Sequence, residues 1–173
     1  MAETLAGVPA EPPAGQEVIM VRKPVVLITG ASGEIGHGLI ESLSREGRRP
    51  IITLDLKPLD PALSALVQQQ FTGSILEDNL LERMLSEYEV DLVFHLAALL
   101  STRGEFTPTT AHQVNVEGTL RMLEFAQKEG ESHGRPVVFL YPSSIAAYGL
   151  PDVGAKAGAG RVREDDWNVP TTM

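Results

Sequence analysis

From Lys23 onward the chain alternates two kinds of pattern. Short, nearly continuous apolar runs occupy 24–29 (PVVLIT), 50–55 (PIITLD), 91–98 (DLVFHLAA) and 136–142 (PVVFLYP). Runs of this length predict strands covered on both faces. A shorter, weaker strand is predicted at 70–72. Between the runs, apolar positions take a period of 3.6. Ile35, Leu39 and Leu43 form one stripe, with Arg45 and Gly47 as its stop. Ser74-Ile-Leu-Glu77 spells a capping box ahead of Leu80, Leu81, Met84 and Leu85. Thr107-Pro108 reads as the N-cap and first residue of a long helix over about 108–130. That helix carries Val114, Gly118, Met122 and Phe125 toward a core.

This order of elements predicts an α/β fold: a Rossmann-like, doubly wound parallel sheet with helices on both faces. Residues 23–150 make that domain. Residues 1–22 are acidic and rich in Pro, Ala and Gly, and read as a poorly ordered tail. Residues 151–173 show no periodicity and read as an irregular loop. No internal repeat is present.

The first strand runs straight into Thr29-Gly30-x-x-Gly33-x-x-Gly36. This is a spacing variant of the G-x-G-x-x-G turn between a strand and a helix. Gly30 allows the tight exit from the strand. Gly33 leaves bare backbone for a pyrophosphate. Gly36 lets the helix pack close to the sheet. The free N–H groups and dipole at the helix start near Glu34-Ile35 favour an anion. Asp55 ends the second strand, nineteen positions after Gly36. A carboxylate there accepts hydrogen bonds from ribose hydroxyls and repels a 2′-phosphate, which favours NAD over NADP. Lys57 nearby weighs slightly the other way. A ligand-free glycine turn and a solvated strand-end Asp are the bland alternatives.

Composition narrows the partners. The 173 residues carry a formal charge of −9, so nucleic acid is not an expected partner. No cysteine is present, which excludes disulfides and thiolate metal sites and favours a cytoplasmic protein. The four histidines, His37, His95, His112 and His133, lack short ligand spacing, and no metal is expected. No apolar stretch approaches the ~20 residues of a membrane span. The N-terminus lacks the basic start and apolar core of a secretory signal.

TGASGEIG, the strand-end Asp55, HLAA at 95–98, VNVEGT at 114–119 and PSSIAAYG at 142–149 stand in one order. Together they resemble the extended short-chain dehydrogenase/reductase family, the NAD-dependent epimerase/dehydratase group. The resemblance covers about residues 23–173. It implies that Gly30, Ser32, Gly33, Glu34, Ile35 and Gly36, with Asp55 and Leu56, hold the adenosine diphosphate half of NAD. Ser74 and Ile75 stand where the family often has an Asp-Ile pair contacting adenine. Leu96, Ala97 and Ala98 would line the cofactor beside the fourth strand. Asn115 would support the active site, although a helix-surface role fits it equally from the residues alone. Pro142 and Ser143 would sit against the nicotinamide. Ser144 would take the catalytic Ser/Thr position, its hydroxyl bonding the substrate oxygen. His95 reads better as a satisfied, partly buried histidine at a strand end.

The family's mechanism also needs Tyr-x-x-x-Lys, which this chain does not contain. Its tyrosines, Tyr88, Tyr141 and Tyr148, are followed four residues on by Leu92, Ile145 and Asp152. The sequence therefore reads as the first part of an oxidoreductase or epimerase, its sheet incomplete on the C-terminal side and without turnover by itself. HLAALLSTRGE (95–105) resembles the L-threonine 3-dehydrogenase branch, while PSSIAAYG leans toward the epimerases. Ser101, Thr102 and Arg103 are candidates for reaching a small-molecule substrate. A homodimer through the long helix is a further expectation from the resemblance. A naturally short, non-catalytic NAD-binding module is the competing reading.

Overall fold

The computed structural model describes residues 24–100, 104–144, 147–168 and 170. The expectations for the tail 1–22, for Ser101, Thr102 and Arg103, and for Ile145 and Ala146 fall outside the described residues.

Among the described residues, five strands and six helices follow one another in chain order. They are β1 (Pro24–Thr29), α1 (Glu34–Glu46), β2 (Ile51–Asp55), α2 (Pro61–Ser64), β3 (Gln69–Thr72), α3 (Asp78–Glu87), β4 (Glu89–His95), α4 (Pro108–His112), α5 (Gly118–His133), β5 (Val138–Leu140) and α6 (Val153–Ala159). A π-helical turn, Gln113–Glu117, joins α4 to α5. The strands form one sheet in the order β3-β2-β1-β4-β5, and every pairing is parallel. The winding direction reverses between β1 and β4. In open parallel sheets the ligand crevice lies there, beyond the carboxyl ends of the strands.

β1 shows why its apolar run is continuous. Val25 and Leu27 face one core, with Met84 of α3 and Met122 and Phe125 of α5. Val26 and Ile28 face the other, with Ile40 of α1 and Leu63 of α2. A central strand with helices on both sides has no polar face, so its sequence does not alternate.

Four expectations change. β5 spans three residues rather than seven, and Val138 and Leu140 are exposed. Pro136 and Pro142 bracket it, and a proline has no N–H to give to a ladder. β4 ends at His95, because Leu96 to Ala98 pass beyond the end of the sheet. The buried face of α1 is Gly36 and Ile40, flanked by Leu39 and Leu43, while Ile35 is 70% exposed. Ile35 sits in the first turn and points away from the sheet. In the C-terminal segment, Val153–Ala159 is helical, with Asp152 Oδ1 accepting from the Ala155 N–H at 2.7 Å. Three alanines and the Asp N-cap favour this short helix, and no apolar stripe reveals it in the sequence.

Candidate cofactor site at the switch point

The site begins where β1 leaves the core. Gly30 has φ of +68°, and a methyl group there would lie 2.6 Å from the Ala97 nitrogen. The corner thus turns hard against the exit of β4. The Gly30 N–H donates to Leu54 O at 2.9 Å, and the Gly33 N–H donates to Gly30 O at 3.2 Å. Gly33 is the N-cap of α1 and offers no side chain to its first turn. The N–H groups of Glu34, Ile35 and Gly36 therefore have no acceptor within the helix. A methyl on Gly33 would meet only Gly30 O, at 3.3 Å, so its outer face is bare. A methyl on Gly36 would lie 2.4 Å from Ala31 O. Gly36 permits close packing against the corner itself, rather than against the sheet as its spacing suggested.

Asp55 is fastened to this corner. Its Oδ2 accepts from the Ser32 N–H at 2.9 Å and its Oδ1 from the Lys57 N–H at 3.0 Å. Each carboxylate oxygen keeps a second lone pair. Leu56 beside it is exposed. Ser74 is half-buried, and the expected capping box does not cap α3, whose N-cap is Glu77. The Ser74 N–H donates to Glu77 Oε1 at 2.7 Å and its Oγ accepts from the Leu76 N–H at 3.2 Å, so Ser74 to Glu77 close a turn ahead of the helix instead. Ile75 is buried, and its side chain packs where a methyl on Gly118 would touch it at 2.5 Å. Its side chain is taken up by the core, which leaves its backbone for any adenine contact.

The exit of β4 is held at two points. The Leu96 N–H donates to Thr29 O at 3.1 Å, and the Ala97 N–H donates to Thr29 Oγ1 at 3.3 Å. Asn115 then clasps the backbone of Leu99: its Oδ1 accepts from the Leu99 N–H at 2.7 Å and its Nδ2 donates to Leu99 O at 2.9 Å. Asn115 is half-buried with its side-chain amide engaged by Leu99, so it is not a free helix-surface residue. It sits on the π turn, a distortion frequent at functional sites. Leu96 and Ala97 are half-buried between these ties, and Ala98 is exposed.

His95 is fully buried below. Its Nδ1 lies 2.7 Å from Thr29 Oγ1 and its Nε2 3.1 Å from Thr119 Oγ1. Burial lowers its pKa from 6.5 to about 4, so the ring is neutral at pH 7. The satisfied-histidine reading fits, with burial complete rather than partial. The Tyr141 ring stacks on it at 5.5 Å. Tyr141 leads into Pro142, Ser143 and Ser144, all exposed at the carboxyl end of β5. Parallel pairing brings that end to the same sheet edge as the glycine corner. The Ser144 carbonyl accepts from the Ala147 N–H at 3.0 Å.

Two residues escaped the sequence reading: Thr29 and Thr119, which hold the His95 ring. The available signal was Thr29, a hydroxyl closing an otherwise apolar run.

The NAD-dependent epimerase/dehydratase family model matches residues 26–164. The chain belongs to this family. It is 29% identical over 137 residues to UDP-glucose 4-epimerase of Haemophilus influenzae, covering 74% of this chain and 39% of that protein. It is 33% identical over 129 residues to the mitochondrial L-threonine 3-dehydrogenase of Sus scrofa, covering 73% and 32%. The structure of MoeE5 in complex with UDP-glucuronic acid and NAD superposes with a TM-score of 0.64 at 29% identity, over 86% of this chain and 44% of that one. The chain spans about a third to a half of the curated relatives, their N-terminal, Rossmann-like part. The family is described as NAD-dependent epimerases and dehydratases. Among the described residues no helix is long and apolar enough to cross a membrane.

Proposed function

We propose that this chain is the NAD-binding part of an enzyme that passes hydride between NAD and a hydroxyl-bearing substrate, either a sugar nucleotide or a small hydroxy acid. The observation that carries the reading is the corner. The bare face of Gly33, three N–H groups at the start of α1 and the Asp55 carboxylate meet in one place. A pyrophosphate needs the first two, and a ribose diol needs the third.

Within that reading each residue has a task. Gly30 brings the corner against Ala97, and Gly33 to Gly36 offer N–H groups to the diphosphate. Asp55 accepts from the ribose hydroxyls while Ser32 holds it still. Leu56, Ser74 and Ile75 flank the adenosine. Leu96, Ala97 and Ala98 line the inner half, and Asn115 fixes their backbone. Pro142 and Ser143 border the nicotinamide, and Ser144 donates to the reacting substrate oxygen. NAD itself supplies the hydride acceptor. The polypeptide has no Tyr-x-x-x-Lys to take the substrate proton, so we expect binding without turnover. A second reading, a non-catalytic NAD-binding module, differs in activity and not in the site.

Calorimetric titration with NAD and NADP tests the reading. NAD is expected to bind more tightly, and Asp55→Ala should weaken NAD by about tenfold or more while narrowing its advantage over NADP. Absence of binding by either dinucleotide overturns it.

A further inference from the structure

We infer that His95 is held as the Nε2–H tautomer in a one-directional chain of hydrogen bonds, and that His95 and Thr119 thereby act as positioning residues for the 96–99 backbone. The direction follows from counting protons. The Thr119 hydroxyl donates to Asn115 O at 2.8 Å. A hydroxyl has one proton, so toward His95 Nε2, at 3.1 Å, Thr119 Oγ1 is the acceptor. Nε2 therefore carries the ring proton. In a neutral imidazole Nδ1 is then an acceptor, and Thr29 Oγ1 donates to it at 2.7 Å. Thr29 Oγ1 in turn accepts from the Ala97 N–H at 3.3 Å. The chain runs from Ala97 N–H through the Thr29 hydroxyl, the His95 ring and the Thr119 hydroxyl to the carbonyl of Asn115.

Both ends of this chain return to one segment. Ala97 gives the first proton, and Asn115, the last acceptor, clasps Leu99. The Thr119 bond reaches back four residues to the π turn that carries Asn115. The same ring stacks on Tyr141, next to Pro142 and Ser143. One buried imidazole thus links the end of β1, the exit of β4, the π turn and the exit of β5. The hydrogen-bond order stands by itself, and its consequence for cofactor affinity rests on the NAD reading above.

Long-range nitrogen–proton correlation spectra of the histidine-labelled protein near pH 7 test the tautomer. The His95 ring, assigned by its disappearance in His95→Gln, should show a protonated Nε2 and a bare Nδ1. Protonation of Nδ1, alone or with Nε2, overturns the proposal. Thr119→Val tests positioning, since it keeps the shape and removes both bonds. The Leu99 amide should exchange about five- to tenfold faster and NAD should bind weaker by a similar factor, what one neutral hydrogen bond is worth. Thr119→Ser, which keeps the hydroxyl, should restore both. Wild-type exchange at Leu99 in the folded Thr119→Val protein overturns the positioning role. If the wild-type chain binds neither dinucleotide, the NAD reading fails, while the spectra and the exchange rates still decide the hydrogen-bond order.

Discussion

Gly33 and Gly36 lie one helical turn apart, and the same substitution should act on them in opposite ways. A side chain at Gly33 meets open space beyond Gly30 O, so Gly33→Val should keep the fold, at a cost of about 1 kcal/mol for a poorer N-cap. It should weaken NAD binding at least about tenfold by covering the backbone. A side chain at Gly36 is driven into the Ala31 backbone, which cannot step aside as a flexible side chain would. Gly36→Val should lower stability by about 3 kcal/mol or more. Thermal melts beside calorimetric titration separate the two effects. His95 offers a second test. Its native pKa is about 4 against 6.5 for the free group, so between these values the unfolded chain binds more protons than the folded one. Its contribution is complete above pH 6.5 and is lost as the pH falls from there toward 4, a change on the order of 3 kcal/mol. Denaturant titrations should show a steeper loss in that window for wild type than for His95→Asn. These residues were legible to different degrees. The glycines and Asp55 were readable because their spacing is set by a ligand-sized turn. Thr29 and Thr119 were not, because they lie ninety positions apart in sequence and meet only at the His95 ring.

Helices and strands follow the chain's periodicity where they pack against the core. α3 buries Leu81 and Met84 with Leu80 and Leu85 at the margin, and α5 buries Gly118, Met122 and Phe125, while Val114 lies half-buried on the π turn; α5 runs a few residues past its expected end, to His133. The π turn before α5 leaves no mark in the chain's periodicity, and the Asn115 it carries bonds to Leu99, sixteen positions earlier. Close approach between elements is testable at Gly118, where a methyl would lie 2.5 Å from Ile75 Cδ1. Ala is favoured over Gly within a helix by about 1 kcal/mol, yet overpacking costs about 1–3 kcal/mol. Gly118→Ala should therefore destabilise the wild-type protein by about 1 kcal/mol. In an Ile75→Ala background, where the space is opened, the same change should be neutral or stabilising. A double-mutant cycle in urea measures this reversal, and additivity would contradict the packing account.

At the scale of the whole molecule, a group of exposed apolar side chains lies at the β5 edge of the sheet. Val138 and Leu140 are exposed on β5, Tyr141 just after it, and Val116, Leu120 and Leu123 on the π turn and α5. A groove of about 520 Å³ between α5 and β5 is lined by Leu123, Ala126, Val137 and Phe139. Among the described residues no strand pairs with the outer side of β5, and a parallel edge with bare apolar side chains is a pairing hazard. The protein is therefore expected to self-associate with rising concentration despite its charge of −9. Sedimentation velocity should show the association reduced in Val138→Lys/Leu140→Lys. The alternation of apolar runs and helical stripes already dictated a doubly wound parallel sheet. Strands buried on both faces and helices buried on one leave separate periods in the chain. The glycine corner and Asp55 were equally local, each lying at a strand end. Tertiary structure alone decided that β5 is short and half bare, that Ile35 faces outward, and that Asp55 is tied to Ser32. It alone joined Thr29, His95, Asn115 and Thr119 into one network around Leu99. Those outcomes depend on partners distant in sequence, and one chain's periodicity records which face of an element is buried but not what it meets there.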